Sequence, residues 1–150
     1  MTAALRKFKV SKAQYAKVRN PLPIPTICPN CGAGVERCSN SVVYRKEYGE
    51  WPFIYRCLDD ECDSYVGIHL KTDIPLGTLA NKATRTARKE AKSMLRPMWE
   101  DQGMKQDAVY CWLAEKMGIA NADHCHIGWF DIAQCARVVE ILKTSKGELA

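Results

Sequence analysis

The sequence predicts an α+β protein: a small unit of about three short strands, packed on a helical C-terminal half of about three helices. Three observations point there. Cysteines recur at close spacing between residues 28 and 62, and the runs among them are short, aromatic and β-branched. A helical period of apolar residues then sets in after residue 76. The implied organisation is a basic arm with a proline-rich linker over 1–25, a cysteine-held module over 26–75 and a helical region over 76–150.

The arm, Met1 to Asn20, carries six Lys/Arg and no acid, with a weak helical pattern in Leu5, Phe8, Tyr15 and Val18. It has no apolar segment of the kind a secretory signal needs. Pro21, Pro23 and Pro25 end any helix, because each fixes φ and removes a donor. Strand chemistry follows. Ser41-Val-Val-Tyr-Arg45 and Trp51-Pro-Phe-Ile-Tyr-Arg56 read as two strands, with Lys46–Glu50 as the hairpin loop between them. Ser64 to Leu70 reads as a third, its alternation placing Val66, Ile68 and Leu70 on one face.

Leu76-Gly-Thr78 opens the clearest helical pattern. At 100° per residue, Leu79, Ala80, Ala83, Ala87, Ala91 and Met94 share one side. Lys82, Arg85, Lys89, Lys92 and Arg96 lie nearly opposite, with Arg88 on the flank. Pro97 ends this helix or starts a new turn. A second helix spans Lys105 to Met117, capped by Gly118. Asp131 is an N-cap for a third running to about Lys143, with Ile132, Ala136, Val139 and Leu142 facing inward.

The cysteine spacing carries the most specific chemistry. Cys28 and Cys31 are separated by two residues, Cys57 and Cys62 by four, and 25 residues lie between the pairs. Two ligands on one tight turn need a gap of two to four residues, and four thiolates suit tetrahedral zinc. The intervening length is that of a hairpin returning the second turn to the first, which is a zinc-ribbon layout. Cys38 is a rival thiol, and Asp59 and Asp60 offer oxygen within the wider gap. Four cysteines describe a closed, structural Zn2+ site. The remaining thiols, Cys38, Cys111, Cys125 and Cys135, read as small hydrophobes or inert thiols.

Of the three histidines, His69 ends the third strand near the metal region, where it either packs on the sheet or supports the site from outside the ligand set. His124 and His126 flank Cys125 and read as loop hydrogen-bonding groups. No phosphate-binding glycine loop, nucleophile elbow or His-Glu-x-x-His signature occurs, and no catalytic residue is assigned.

Cys28-Pro-Asn-Cys31-Gly, Tyr55-Arg-Cys57, Cys62-Asp-Ser-Tyr-Val-Gly-Ile-His69, Pro75-Leu-Gly-Thr-Leu-Ala80 and Pro97-Met-Trp99 together resemble the zinc-finger-containing domain of unknown function found in phage and prophage proteins. The likeness extends over roughly residues 26 to 140, and Cys125-His-Ile-Gly-Trp-Phe-Asp131 falls within it. It implies zinc on Cys28, Cys31, Cys57 and Cys62, and a phage or prophage setting.

The first functional reading is a non-enzymatic zinc protein that contacts nucleic acid through Lys82, Arg85, Arg88, Lys89 and Lys92. The net charge of +5 is mild, but Asn81 to Arg96 holds six basic residues against Glu90 alone, and clustering is what a polyanion meets. The second is a protein-interaction module that binds or inhibits a host protein. The third is a metal-dependent nuclease. No apolar run approaches the roughly 20 residues of a membrane helix. Eight cysteines without an export signal suit a cytoplasmic protein, in the host cytoplasm if phage-encoded.

Overall fold

The computed structural model describes residues 8–145; the start of the basic arm, Leu5 included, lies outside the described residues. The fold is α+β and divides into two units, one through Lys82 and one from Ala83 onward.

The first unit is a three-stranded antiparallel sheet in the order β1 (Val35–Ser39), β2 (Phe53–Cys57), β3 (Tyr65–Gly67). Register pairs Val35 with Cys57 and Ser39 with Phe53 on one side, and Ile54 with Gly67 and Arg56 with Tyr65 on the other. Phe53, Tyr55 and Cys57 are inward members of β2 and form a core with Trp51, Ile68, Leu79 and Cys28. Trp51 Nε1 donates to the carbonyl of the fully buried Thr72 at 3.0 Å. The arm joins this unit. Ser11 N donates to the Lys71 carbonyl at 2.7 Å, and Ser11 caps the one-turn helix α1 (Lys12–Ala16). The Phe8 ring lies 4.9 Å from Trp51 and 4.8 Å from Phe53, beneath the Arg37 guanidinium at 3.8 Å.

Three expectations differ here: the third strand is shorter than Ser64 to Leu70, ending at Gly67 with Leu70 exposed, and two segments take another form. Ser41–Tyr44 is not a strand but a single helical turn, α2, closed by Arg45 in the left-handed region at φ 67°. The Ser39 hydroxyl accepts from Ser41 N, and the Asn40 carbonyl accepts from Val43 and Tyr44, so local bonds outweigh β propensity. The strand pairing with β2 is Val35–Ser39 instead, whose polar Glu36 and Arg37 hide it in the sequence. The stretch from Leu76 is not helical either. Leu76 N bonds the Gly67 carbonyl, and isolated bridges join Pro75 to Ile68 and Ala80 to Tyr65, so it runs beside β3 as a bent, bridged segment.

The second unit takes up α3 (Lys82–Leu95) from its second residue, then α4 (Pro97–Glu100) with Pro97 in its first turn, α5 (Gln106–Met117) and α6 (Ile132–Thr144). Two 3₁₀ turns, Ala122–His124 and Ile127–Trp129, connect the last two. Gly118 takes φ 74° and ends α5 as its spacing predicts. Asp131 and Gln134 form a reciprocal capping box at the start of α6. The core draws on Leu95, Val109, Leu113, Phe130 and Val138. The inward face of α6 differs from expectation: Cys135, Val138, Ile141 and Leu142 are buried, while Ile132 and Ala136 are exposed and Val139 is only partly covered. Counting Cys135 as apolar restores the right face, since 135, 138 and 142 follow the helical period. Similarly α3 buries Thr84, Ala91 and Leu95, while Ala83 is exposed.

Candidate metal centre and basic helix

An antiparallel bridge between Ile27 and Gly34 pinches off the turn that holds Cys28 and Cys31. Within it Gly32, at φ +80°, donates to the Cys28 carbonyl at 2.8 Å, a conformation a side chain would strain. Strand β2 delivers Cys57 beside this turn, because Leu58 N continues the ladder to the Gly34 carbonyl at 2.9 Å. The chain then reverses through Asp59–Glu61, where the Asp59 carboxylate accepts from Glu61 N, and brings Cys62 back. The Sγ atoms of Cys28, Cys31, Cys57 and Cys62 all lie within 4.8 Å of one another.

The donor set fits zinc. A tetrahedron with Zn–S bonds of about 2.3 Å has sulfur–sulfur edges of roughly 3.8 Å. Cys28 and Cys62 are 3.8 Å apart, and Cys31 and Cys57 are 3.4 Å apart. Zinc held there supplies folding free energy, and four thiolates leave no coordination position for water. Cys38 is outside this cluster: it lies on β1, and burial pushes its thiol pKa up. Asp59 and Asp60 stay exposed and outside it as well.

Backbone donors point at the sulfurs. Asn30 N reaches Cys28 Sγ and Asp59 N reaches Cys57 Sγ, both at 3.4 Å, each from two residues ahead. Burial opposes a thiolate at Cys28, but the N–H groups of Asn30 and Cys31 lead the groups that outweigh it and bring its pKa down to about 7. Burial pushes Cys57 up to about 12, helped by the neighbouring thiols. At Cys62 the Ser64 hydroxyl favours ionisation, yet burial and the thiols of Cys31 and Cys28 raise it. Metal-free, the cluster therefore ionises at one sulfur and resists at others, as like charges this close must. A dication reverses that preference.

Sequence reasoning missed two residues that shape the site. The Asn30 side-chain amide donates to Ser64 Oγ at 2.9 Å and to the Leu79 carbonyl at 3.1 Å, and Ser64 Oγ lies 3.1 Å from Cys62 Sγ. Their signal was position alone: Asn30 stands between the first two ligands and Ser64 two residues past the last.

His69 is not in the sulfur cluster. Its ring is half-buried, with the pKa lowered by burial, and its backbone carbonyl accepts from Thr72. His126 Nε2 meets the Asp123 carbonyl at 2.7 Å, and its ring lies 4.3 Å from Trp129, as suits a loop-holding group. Cys125 between the histidines is buried and its thiol is pushed up to about 11, mainly by burial.

The zinc-finger-containing domain family matches residues 24–145. The chain belongs to this family. No curated protein and no solved structure matches it. The zinc-finger assignment and the four-sulfur cluster thus agree on the same centre.

On α3, Lys82, Lys89 and Lys92 are exposed and Arg85 is half-covered. Arg88 turns inward: its Nε donates to the Phe130 carbonyl at 2.8 Å, and burial lowers its pKa. It ties α3 to the segment just before α6. Arg96 is exposed just past the helix and 3.6 Å from Glu100. Among the described residues no helix is long and apolar enough to cross a membrane.

Proposed function

We propose that this zinc-stabilised protein contacts nucleic acid through the exposed cations of α3. The observation that carries the reading is the stripe of Lys82, Arg85, Lys89 and Lys92 along one side of a 14-residue helix whose only acid is Glu90. Ten residues of helix extend about 15 Å. A nucleic-acid strand presents one phosphate per roughly 3.4 Å of duplex axis, so such a stripe can meet several of them. Contacts of this kind give affinity and register without base choice. The basic arm adds charge of the same sign. Eight free cysteines, four of them gathered as a ligand set, suit a reducing cytoplasm, and the resemblance noted above favours a phage setting.

The experiment is a salt series of binding to duplex DNA, single-stranded DNA and RNA, comparing the wild type with the K89E/K92E double variant. We expect log affinity to fall linearly with log salt, and the double variant to bind weakly with a slope shallower by about 2. Binding that ignores both salt and the charge reversal would overturn the reading.

A further inference from the structure

The loop joining β1 to β2 displays two tyrosines outward. Tyr44 is 49% and Tyr48 67% exposed, yet their rings lie 5.7 Å apart, inclined at 53°. This exposure is built into the loop. Asn40, only 7% exposed, clasps Tyr48 from both sides of its amide: Nδ2 donates to the Tyr48 carbonyl at 2.8 Å, and Tyr48 N donates to Asn40 Oδ1 at 3.0 Å. Asn40 N is itself tied to the Pro52 carbonyl at 2.9 Å, at the foot of β2. On the other arm, the turn of α2 is closed by Arg45 N on the Ser41 carbonyl at 2.8 Å. The buried Asn40 side chain therefore fixes the loop's backbone at Tyr48, and the Asn40 backbone carbonyl, accepting from Tyr44 N, fixes it at Tyr44, so the loop that carries both exposed rings is itself held in place.

The loop's charges say what kind of partner it suits. Arg45 and Lys46 are balanced by Glu47 and Glu50, so the loop has no net pull on phosphate. Flat aromatic faces without net charge suit the faces of unpaired bases, which every base offers regardless of sequence. Paired bases in a duplex are already stacked on each other.

We infer that Tyr44 and Tyr48 form a stacking platform for unpaired bases, so that the nucleic acid recognised is single-stranded. The inference rests on the nucleic-acid reading above and names the form of ligand. Phosphate attraction belongs to α3 and stacking to the tyrosine loop. The two contributions separate experimentally, because stacking between uncharged groups is insensitive to salt.

The test measures binding of labelled single-stranded DNA, single-stranded RNA and duplex DNA of equal length to the wild type, Y44A/Y48A, Y44F/Y48F and K89E/K92E. Zinc content and near-ultraviolet circular dichroism verify the fold of each variant. The wild type should prefer single strands to duplex. The alanine pair should lose about fivefold or more of single-strand affinity per tyrosine, by the same factor at every salt concentration, while phenylalanine retains it. The DNA and RNA arms identify which strand is preferred. Salt-dependent binding indifferent to the tyrosines overturns this inference and leaves the α3 reading standing. Tyrosine-dependent single-strand binding that K89E/K92E leaves intact overturns the α3 reading and keeps the platform. A wild type that binds none of the three, or whose tyrosines serve only a protein partner, ends the inference.

Discussion

The sheet unit and the helical unit solve the same problem with different means. Among the described residues, the largest contiguous cluster of buried residues has seven members in the first unit and thirteen in the second. Two of the seven, Cys28 and Cys57, are metal ligands. Strands of five, five and three residues cannot bury enough apolar surface to offset the entropy of ordering the chain. The helical unit gathers its own apolar interior from α3 to α6, with Gly118 closing α5 and the Asp131 capping box opening α6. The difference teaches where each unit is fragile: the first depends on a chemical bond set, the second on packing.

The sharpest way to break the comparison is to remove the metal. Chelation, or Cys57→Ser, should melt the sheet unit, a loss on the order of 10 kcal/mol, while amides of α5 and α6 keep their protection from hydrogen exchange. Equal loss of protection in both units would refute the division of labour. Acid should act in the same sense. Burial and the neighbouring thiols push Cys57 and Cys62 up and favour their thiol forms at neutral pH, while Cys28 is brought down to about 7. Ligation needs thiolates, so binding releases more than two protons per zinc, and affinity weakens as pH falls by about a hundredfold or more per unit. Proton release read by an indicator dye during zinc titration checks the count.

A smaller effect tests the packing side. Leu113 is fully buried in the helical core, and Leu113→Ala should cost 2–5 kcal/mol by the usual cavity penalty. Denaturant melting followed in the helical unit reads it, and zinc stoichiometry should not change. The smallest effect is at a cap. Asp131→Ala removes the acceptor for Gln134 N, at 2.8 Å, and should cost about 1 kcal/mol. A loss above that of Leu113→Ala would show that the helical unit depends on its ends more than on its interior.

The same contrast explains which parts of the fold could be read in advance. Cysteine spacing and helix caps are local signals, so Cys28, Cys31, Cys57, Cys62, Gly118 and Asp131 were legible from their neighbours alone. Strand identity in a small sheet is set by partners far along the chain. Val35–Ser39 becomes a strand because β2 lies beside it, and Ser41–Tyr44 becomes a turn because Ser39 and Asn40 bind its backbone. The buried faces of α3 and α6 were displaced because Thr84 and Cys135 sit where a strictly apolar count does not look. The charge stripe was visible as a pattern, but only the fold shows that Arg88 is committed to the Phe130 carbonyl.

The hydrogen-bond relay at the metal centre has a direction. The Leu79 carbonyl can only accept, which orients the Asn30 amide with its nitrogen outward. That nitrogen also meets Ser64 Oγ, so the serine accepts there and its single proton is left to point at Cys62 Sγ. The donor sense therefore diverges from the Asn30 amide, to the Leu79 carbonyl on one side and through Ser64 Oγ to the sulfur on the other, where it ends on an atom that accepts. Asn30 N and Asp59 N approach Cys28 and Cys57 in the same sense. The donors around the sulfurs are thus placed to support thiolates, while burial and crowding hold Cys57 and Cys62 as thiols until a dication reverses the balance.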